Sequence, residues 1–201
     1  MAAGTLEIEV KFVVEDLAAV RQRLVSLGAT LDRPRTYERN IRFDTPWDGL
    51  RTQGKLLRLR QDATARLTYK GMPETTYDSE ARVREELEVE VSDFQMTLDL
   101  LQRVGFEPRQ IYEKYRETFV YEGVEVVLDE MPFGDFVELE GADEALKATA
   151  AALGLDWERR ILANYLAILA GLQERFNLAF DDLTFENFAG TDVSAMDLLI
   201  E

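Results

Sequence analysis

Eight stretches of this chain place charged and apolar residues at alternate positions, and this pattern restricts the fold more than any other feature. Side chains of a β-strand point to opposite faces in turn. In Leu6-Glu7-Ile8-Glu9-Val10-Lys11-Phe12, one face therefore carries Glu7, Glu9 and Lys11 and the other is apolar. The habit recurs. Arg58 and Arg60 alternate with Leu57 and Leu59, and Lys70 ends Arg66-Leu67-Thr68-Tyr69-Lys70. Arg84, Glu86, Glu88 and Glu90 oppose Leu87, Val89 and Val91. Lys114 and Arg116 share a face, Asp129 closes an apolar run, and Glu138 and Glu140 flank Leu139. The expected strands are 6–12, 37–43, 55–60, 65–70, 82–91, 112–121, 124–129 and 135–140.

Three helices at 3.6-residue spacing interrupt the strands. The first carries Leu17, Val20, Leu24 and Leu27 and stops at Gly28. The second follows Ser92 and Gln95, which read as a capping box, and ends near Gly105. The third runs over Ala145–Leu153 to Gly154. Strand, helix and three strands thus occur twice, an internal pseudo-repeat. A last helix is expected over Glu158–Leu172, with Ile161, Tyr165, Leu169 and Leu172 on one face. Residues 1–172 form the expected domain. Residues 173–201 read as an acidic, aromatic-dotted tail that docks on it or stays mobile.

Two arrangements of the strand faces are open. In one, the charged faces are solvated, as in many antiparallel sheets. In the other, the apolar faces turn outward beneath the helices and the charged faces turn inward. The apolar helix stripes need a partner surface, which favours the second. Eight hairpin-linked strands can close, and closure removes exposed edges. The expected fold is α+β: a closed eight-stranded antiparallel β-barrel, or tunnel, with helices packed outside. Such a barrel has room for side chains and one small ligand. Buried charges are costly unless paired or met by a charged ligand.

The chain has no His and no Cys. Disulfides, thiolate chemistry, Cys/His zinc sites and Ser-His-Asp triads are therefore excluded. A metal here must be held by oxygen, which favours Mg²⁺ or Mn²⁺. The 39 acidic residues against 23 basic ones give a net charge of −16, so nonspecific nucleic-acid binding is not expected. No apolar run approaches the ~20 residues of a membrane span. The Met1-Ala2-Ala3-Gly4-Thr5 start does not read as a signal peptide. The expectation is a soluble, cytoplasmic protein with no membrane or nucleic-acid partner. Bases facing carboxylates suit a small-molecule polyphosphate held with metal as the partner, and a homodimer is allowed.

An ordered set of motifs carries a family resemblance. It starts with Glu7-Ile8-Glu9-Val10-Lys11 and continues with Phe43-Asp44-Thr45-Pro46, Leu56-Leu57-Arg58-Leu59-Arg60, Leu67-Thr68-Tyr69-Lys70-Gly71 and Arg84-Glu85-Glu86-Leu87-Glu88. It ends with Lys114-Tyr115-Arg116, Leu128-Asp129 and Phe133 to Glu140. The set resembles the CYTH superfamily, the triphosphate tunnel metalloenzymes named for class IV adenylyl cyclases and thiamine triphosphatases. The resemblance implies metal ligands at Glu7, Glu9, Glu138 and Glu140, with Asp129 and Glu88 as further acidic positions and Asp129 grouped with the metal set. It implies triphosphate contacts from Lys11, Arg58, Arg60, Lys70, Arg84, Lys114 and Arg116, and catalytic parts for Glu9, Lys70 and Glu88. Many relatives carry an Asp and a Tyr where this chain has Asn40 and Arg42, which weakens a thiamine triphosphate reading. Three activities fit: triphosphate hydrolysis, cyclisation of ATP, and polyphosphate binding without turnover.

Overall fold

The computed structural model describes residues 5–198. The Met1-Ala2-Ala3-Gly4 start and the last three residues of the expected tail lie outside them. Eight strands are present: β1 (Thr5–Val14), β2 (Thr30–Asp44), β3 (Leu56–Gln61), β4 (Ala65–Gly71), β5 (Arg82–Val91), β6 (Glu107–Tyr121), β7 (Val124–Met131) and β8 (Gly134–Glu140). All pair antiparallel in the order β1-β5-β4-β3-β2-β6-β7-β8, and β8 returns to β1 to close the ring. The helices are α1 (Leu17–Ser26), α2 (Phe94–Arg103), α3 (Asp143–Leu153), α4 (Tyr165–Phe176) and the short α5 (Phe185–Phe188).

The pseudo-repeat is visible in the chain order. β1-α1-β2-β3-β4 is followed by β5-α2-β6-β7-β8. Equivalent strands meet at two seams of the ring, where β1 pairs β5 and β2 pairs β6. β2 and β6 extend well beyond 37–43 and 112–121 because their ends lack clean alternation. Pro34 lies within one register shift of this pair and Pro108 borders another. Proline removes a ladder donor and is accommodated at such irregularities.

The apolar outer faces are covered in two patches. Val10, Phe12, Val126, Leu128, Val137 and Leu139 pack with Leu24 of α1 and Leu146 and Ala150 of α3. Ile41, Phe43 and Leu59 pack with Leu101 of α2. β5 is the exception: Leu87 and Val89 are exposed, because the patch under α2 reaches only Val91 at the end of that strand's outer face. Helix starts differ in detail from the sequence reading. Asp93, not Ser92, caps α2 by accepting the Met96 amide.

The last helix begins at Tyr165 rather than near Glu158. β5 starts at Arg82, opposite Glu9, which leaves the Lys11 backbone open on that side. Ile161 fills the gap in extended form: Lys11 N–H donates to the Ile161 carbonyl at 3.1 Å, and Ile161 N–H returns the bond at 2.7 Å. Asn164 then caps α4.

Residues after Leu172 join a third core. Leu183 and Phe188 pack with Leu169 and Leu172 of α4 and with Tyr112 and Phe136. Tyr112 and Phe136 lie two residues from Lys114 and Glu138, so they belong to the inner strand faces. Leu183 also exchanges backbone bonds with β6 through Ile111 and Glu113. α4 and the segment after it therefore fill part of the tunnel interior. Leu183 is fully buried. Replacing it with Ala should lower stability by about 2–4 kcal/mol in urea unfolding. A change within about 0.5 kcal/mol, the range of ordinary surface substitutions, would contradict this packing.

Candidate active site

The charged strand faces turn inward and line one cavity of about 830 Å³. Glu7, Glu9, Lys11, Arg58, Arg60, Lys114, Asp129 and Glu138 are all buried. Alternation explains why they meet. β1 offers Glu7, Glu9 and Lys11; β8 offers Glu138 and Glu140; Lys11 lies opposite Glu138 and Glu9 opposite Glu140 in the β1–β8 register. β3 contributes Arg58 and Arg60, and β4 contributes Thr68 and Lys70.

Within the lumen, bases and acids are interlocked. Lys11 lies 2.9 Å from Glu9 and 3.3 Å from Glu138. Burial would lower the Lys11 pKa, but Glu138 and Glu9 together raise it. Lys70 donates to both oxygens of Glu7 and lies 3.3 Å from Glu86. Here too burial opposes the charge, and Glu7, Glu9 and Glu86 keep the ammonium above its usual value. Arg116 bridges Asp129 and Glu138. Burial works to raise the Glu138 carboxyl, yet Lys11, Arg116 and Lys114 hold it well below the usual range. Such pairs satisfy the cost of enclosing ions only when both members are present.

Two expected residues are differently engaged. Asp129 accepts from Lys114, Arg116 and the Tyr165 hydroxyl. In this structure it is the counter-ion of two bases, at a position that the resemblance groups with the metal ligands. Arg84 lines the cavity, but its Nη1 donates to the Gly54 carbonyl. It thereby ties β5 to the loop before β3. Glu88 accepts from Arg60 and Thr68 and lies 3.5 Å from Arg58. Burial alone would raise it, but Arg60, Thr68 and Arg58 hold it below its ordinary value, which makes it a weak base.

Only oxygen donors are available for a metal. Among the described residues no three carboxylates converge closely enough to form a ready cation cage. Even so, Glu140 is pushed up to about 8 by burial and by the like charges of Glu7, Glu125 and Glu86, with Lys70 as the offset. That crowding of carboxylate charge is what a bound divalent cation relieves. The donor chemistry of Glu7, Glu9, Glu138 and Glu140 fits a hard ion such as Mg²⁺ or Mn²⁺.

The structure adds residues that the sequence reading left out. Arg82, one step before the face recognised on β5, donates to Glu9 at 3.0 Å. Tyr112, two residues before Lys114, accepts from Arg58 at 3.2 Å. Alternation carried two residues further would have found both. Tyr165 comes from a helix and carries no such signal. Glu38 shares the inner face of β2 with Asn40 and lies 3.7 Å from Arg60 and 3.8 Å from Lys114.

Burial would raise the Glu38 carboxyl, but Lys114, Arg116, Arg60 and Arg58 bring it down to about 2, against 4.5 for a free glutamate. A carboxyl lowered by folding stabilises the fold fully above the free value and loses that contribution as the pH falls towards the folded value. Urea midpoints should therefore fall between about pH 4.5 and 2, and more steeply in the wild type than in E38Q. Identical slopes would show that Glu38 does not sense this basic ring.

Comparison with known proteins agrees with the geometry. The CYTH domain pattern matches residues 5–161. A Methanocaldococcus jannaschii protein named as a candidate adenylate cyclase is 28% identical over 137 residues, covering 67% of this chain and 76% of that one. A Vibrio parahaemolyticus structure, also described as a candidate adenylate cyclase, superposes with a TM-score of 0.74 at 23% identity and covers 83% of this chain and 99% of that one. A Hippeastrum structure, described as a candidate adenylyl cyclase with a dominant triphosphatase activity, gives a TM-score of 0.58 at 21% identity, covering 82% and 95%. With its closed ring, its inward-facing acids and bases and a family match over most of its length, the chain belongs to the CYTH family.

Proposed function

We propose that this chain is a metal-assisted triphosphatase, hydrolysing inorganic tripolyphosphate or the triphosphate of a nucleotide or other organic compound. One observation carries the reading. Lys11, Arg58, Arg60, Lys70, Lys114 and Arg116 all border a single cavity that also holds Glu7, Glu9, Glu138 and Glu140. A row of bases suits a chain of phosphates, and arginine binds phosphate oxygens in forked pairs. The activity described for the Hippeastrum neighbour supports the same choice.

Arg58 and Arg60 would exchange their carboxylate partners for phosphate oxygens when substrate enters, and Lys114 and Arg116 would give up Glu38 and Glu138 while keeping Asp129. Lys11 and Lys70 would exchange theirs on the β1 and β4 side. Glu7, Glu9, Glu138 and Glu140 would hold Mg²⁺ or Mn²⁺, which neutralises charge on the phosphate oxygens when bound. The reaction needs positioning and charge stabilisation more than covalent help from the protein. A water oxygen bonds to the terminal phosphorus as the bridging P–O bond breaks, and a tunnel carboxylate takes the water's proton. Glu88 is a poor acceptor for that proton, given the arginines that surround it. Asp129 positions Lys114 and Arg116 without touching substrate. The protein needs no His or Cys for any of this.

The second reading is cyclisation of ATP, favoured by the names of the Methanocaldococcus and Vibrio relatives. The two reactions differ in the phosphorus attacked. Incubation with tripolyphosphate, ATP and thiamine triphosphate, each with Mg²⁺ and with Mn²⁺, separates them. Orthophosphate release supports the triphosphatase. Cyclic AMP with pyrophosphate overturns it in favour of the cyclase, and tight binding without turnover overturns both.

Glu9→Gln should abolish metal-dependent turnover while the circular-dichroism spectrum stays that of the wild type. Normal turnover in that variant would remove Glu9 from the metal set. Arg58→Ala should lower kcat/KM for the triphosphate by about a hundredfold, the scale of two lost charge-assisted hydrogen bonds. An unchanged kcat/KM would place Arg58 outside the grip.

A further inference from the structure

Four buried arginine Nε atoms among the described residues lack a hydrogen-bond acceptor: those of Arg42, Arg58, Arg60 and Arg109. Arg58 and Arg60 belong to the triphosphate grip proposed above. Arg42 and Arg109 do not, yet both line the same cavity. They sit where β2 ends and β6 begins, and Arg51, in the turn before β3, lines the cavity beside them. Arg42 lies directly opposite Arg58 in the β2–β3 register, on the same inner face. The basic strip therefore continues past the triphosphate residues without a gap.

Nearby carboxylates balance these charges but leave both Nε atoms unfilled, while Arg109 Nη2 donates to the Thr45 carbonyl at 2.9 Å. Asp44 is 3.5 Å from Arg42. Its oxygens already accept the amides of Thr45, Leu50 and Arg51. Asp48 pairs with Arg51 at 2.9 Å and lies 3.9 Å from Arg109. Glu107 is 3.3 Å from Arg109, and Asp181 borders the cavity. Burial lowers the Arg42 pKa, Asp44 and Asp48 oppose this, and Arg51 and Arg109 add like-charge repulsion. An unfilled buried donor is expensive, and native proteins seldom keep one without a ligand or water to meet it. The residues with this defect in the triphosphate grip and the residues with it at the β2 end share one cavity and one chemistry.

We propose that Arg42, Arg109 and Arg51 form a subsite for a further phosphoryl group beyond the third. The tunnel then prefers a linear polyphosphate of four or more phosphates to tripolyphosphate. This rests on the triphosphate grip described under the proposed function, but not on hydrolysis.

The test is calorimetric titration of the whole protein with tripolyphosphate and with tetrapolyphosphate, in chelator so that nothing turns over. Tetrapolyphosphate should bind about tenfold tighter, the scale of one added charge-assisted hydrogen bond. R42Q/R109Q should erase that difference. Arg51 is mostly exposed and its pair with Asp48 is superficial, so R51Q keeps the test sound if the double variant does not fold. R51Q should reduce the tetrapolyphosphate advantage by about threefold. Equal wild-type affinity for the two chains overturns the inference and leaves the grip intact, and so does an equal loss for both chains in R51Q. Failure of both chains to bind removes the grip and the inference together. A retained chain-length preference without orthophosphate release under Mg²⁺ or Mn²⁺ supports the subsite and sinks the triphosphatase reading.

Discussion

The structure depends on one electrostatic bargain: charges enclosed by a ring of strands survive because opposite neighbours hold them, Glu140 being the exception. Lys11 has Glu9 and Glu138, Lys70 has Glu7, and Arg116 has Asp129 and Glu138. Removing one member strands the other, which costs more than the pair contributes. The lumen is therefore set to accept a ligand that swaps partners without leaving charges alone. A phosphate chain with a cation does this on both sides at once, since the anion takes the bases and the cation takes the acids. Two of the three apolar clusters lie outside the ring as a result, and the third closes part of its interior. Cohesion comes from Val10, Phe12 and Leu139 beneath α1 and α3, and from Ile41 and Leu59 beneath α2.

Strand alternation made much of this legible. The Glu7-Glu9-Lys11 and Arg58-Arg60 faces follow from a period of two, and the helix stripes supply the reason for turning them inward. Side chains placed by other rules were not legible. Tyr165 reaches Asp129 from a helix whose start is set by Ile161 completing the β1 backbone, a tertiary event without a local signal. The full lengths of β2 and β6 were hidden by Pro34 and Pro108. The outer faces were only partly foreseeable, because Leu87 and Val89 alternate as cleanly as their neighbours and yet no helix lies on them.

Partner choice among the charges was the least readable aspect. Periodicity places Asp129 and Glu138 on inner faces but does not say which of them a base will saturate. Asp129 meets three donors because Lys114, Arg116 and Tyr165 converge on it from two elements. Glu140 meets mostly like charge, because Glu7, Glu86 and Glu125 surround its end of the strand. The same limit applies to Arg42. Its alternation with Ile41 and Phe43 is plain, but that its Nε lacks an acceptor depends on Asp44 being taken up by the loop that follows.

Closure of the ring has a kinetic consequence. β1 is made well before its partner β8, which lies more than a hundred residues further along the chain. Pairings so distant in sequence form slowly, since the loop entropy is lost before contacts repay it. Glu9 and Lys11 meet Glu138 only when this final seam is sewn. Until then the nascent protein carries a half-neutralised strip of acids and bases open to water, and the pocket comes into being at the same moment as the finished fold.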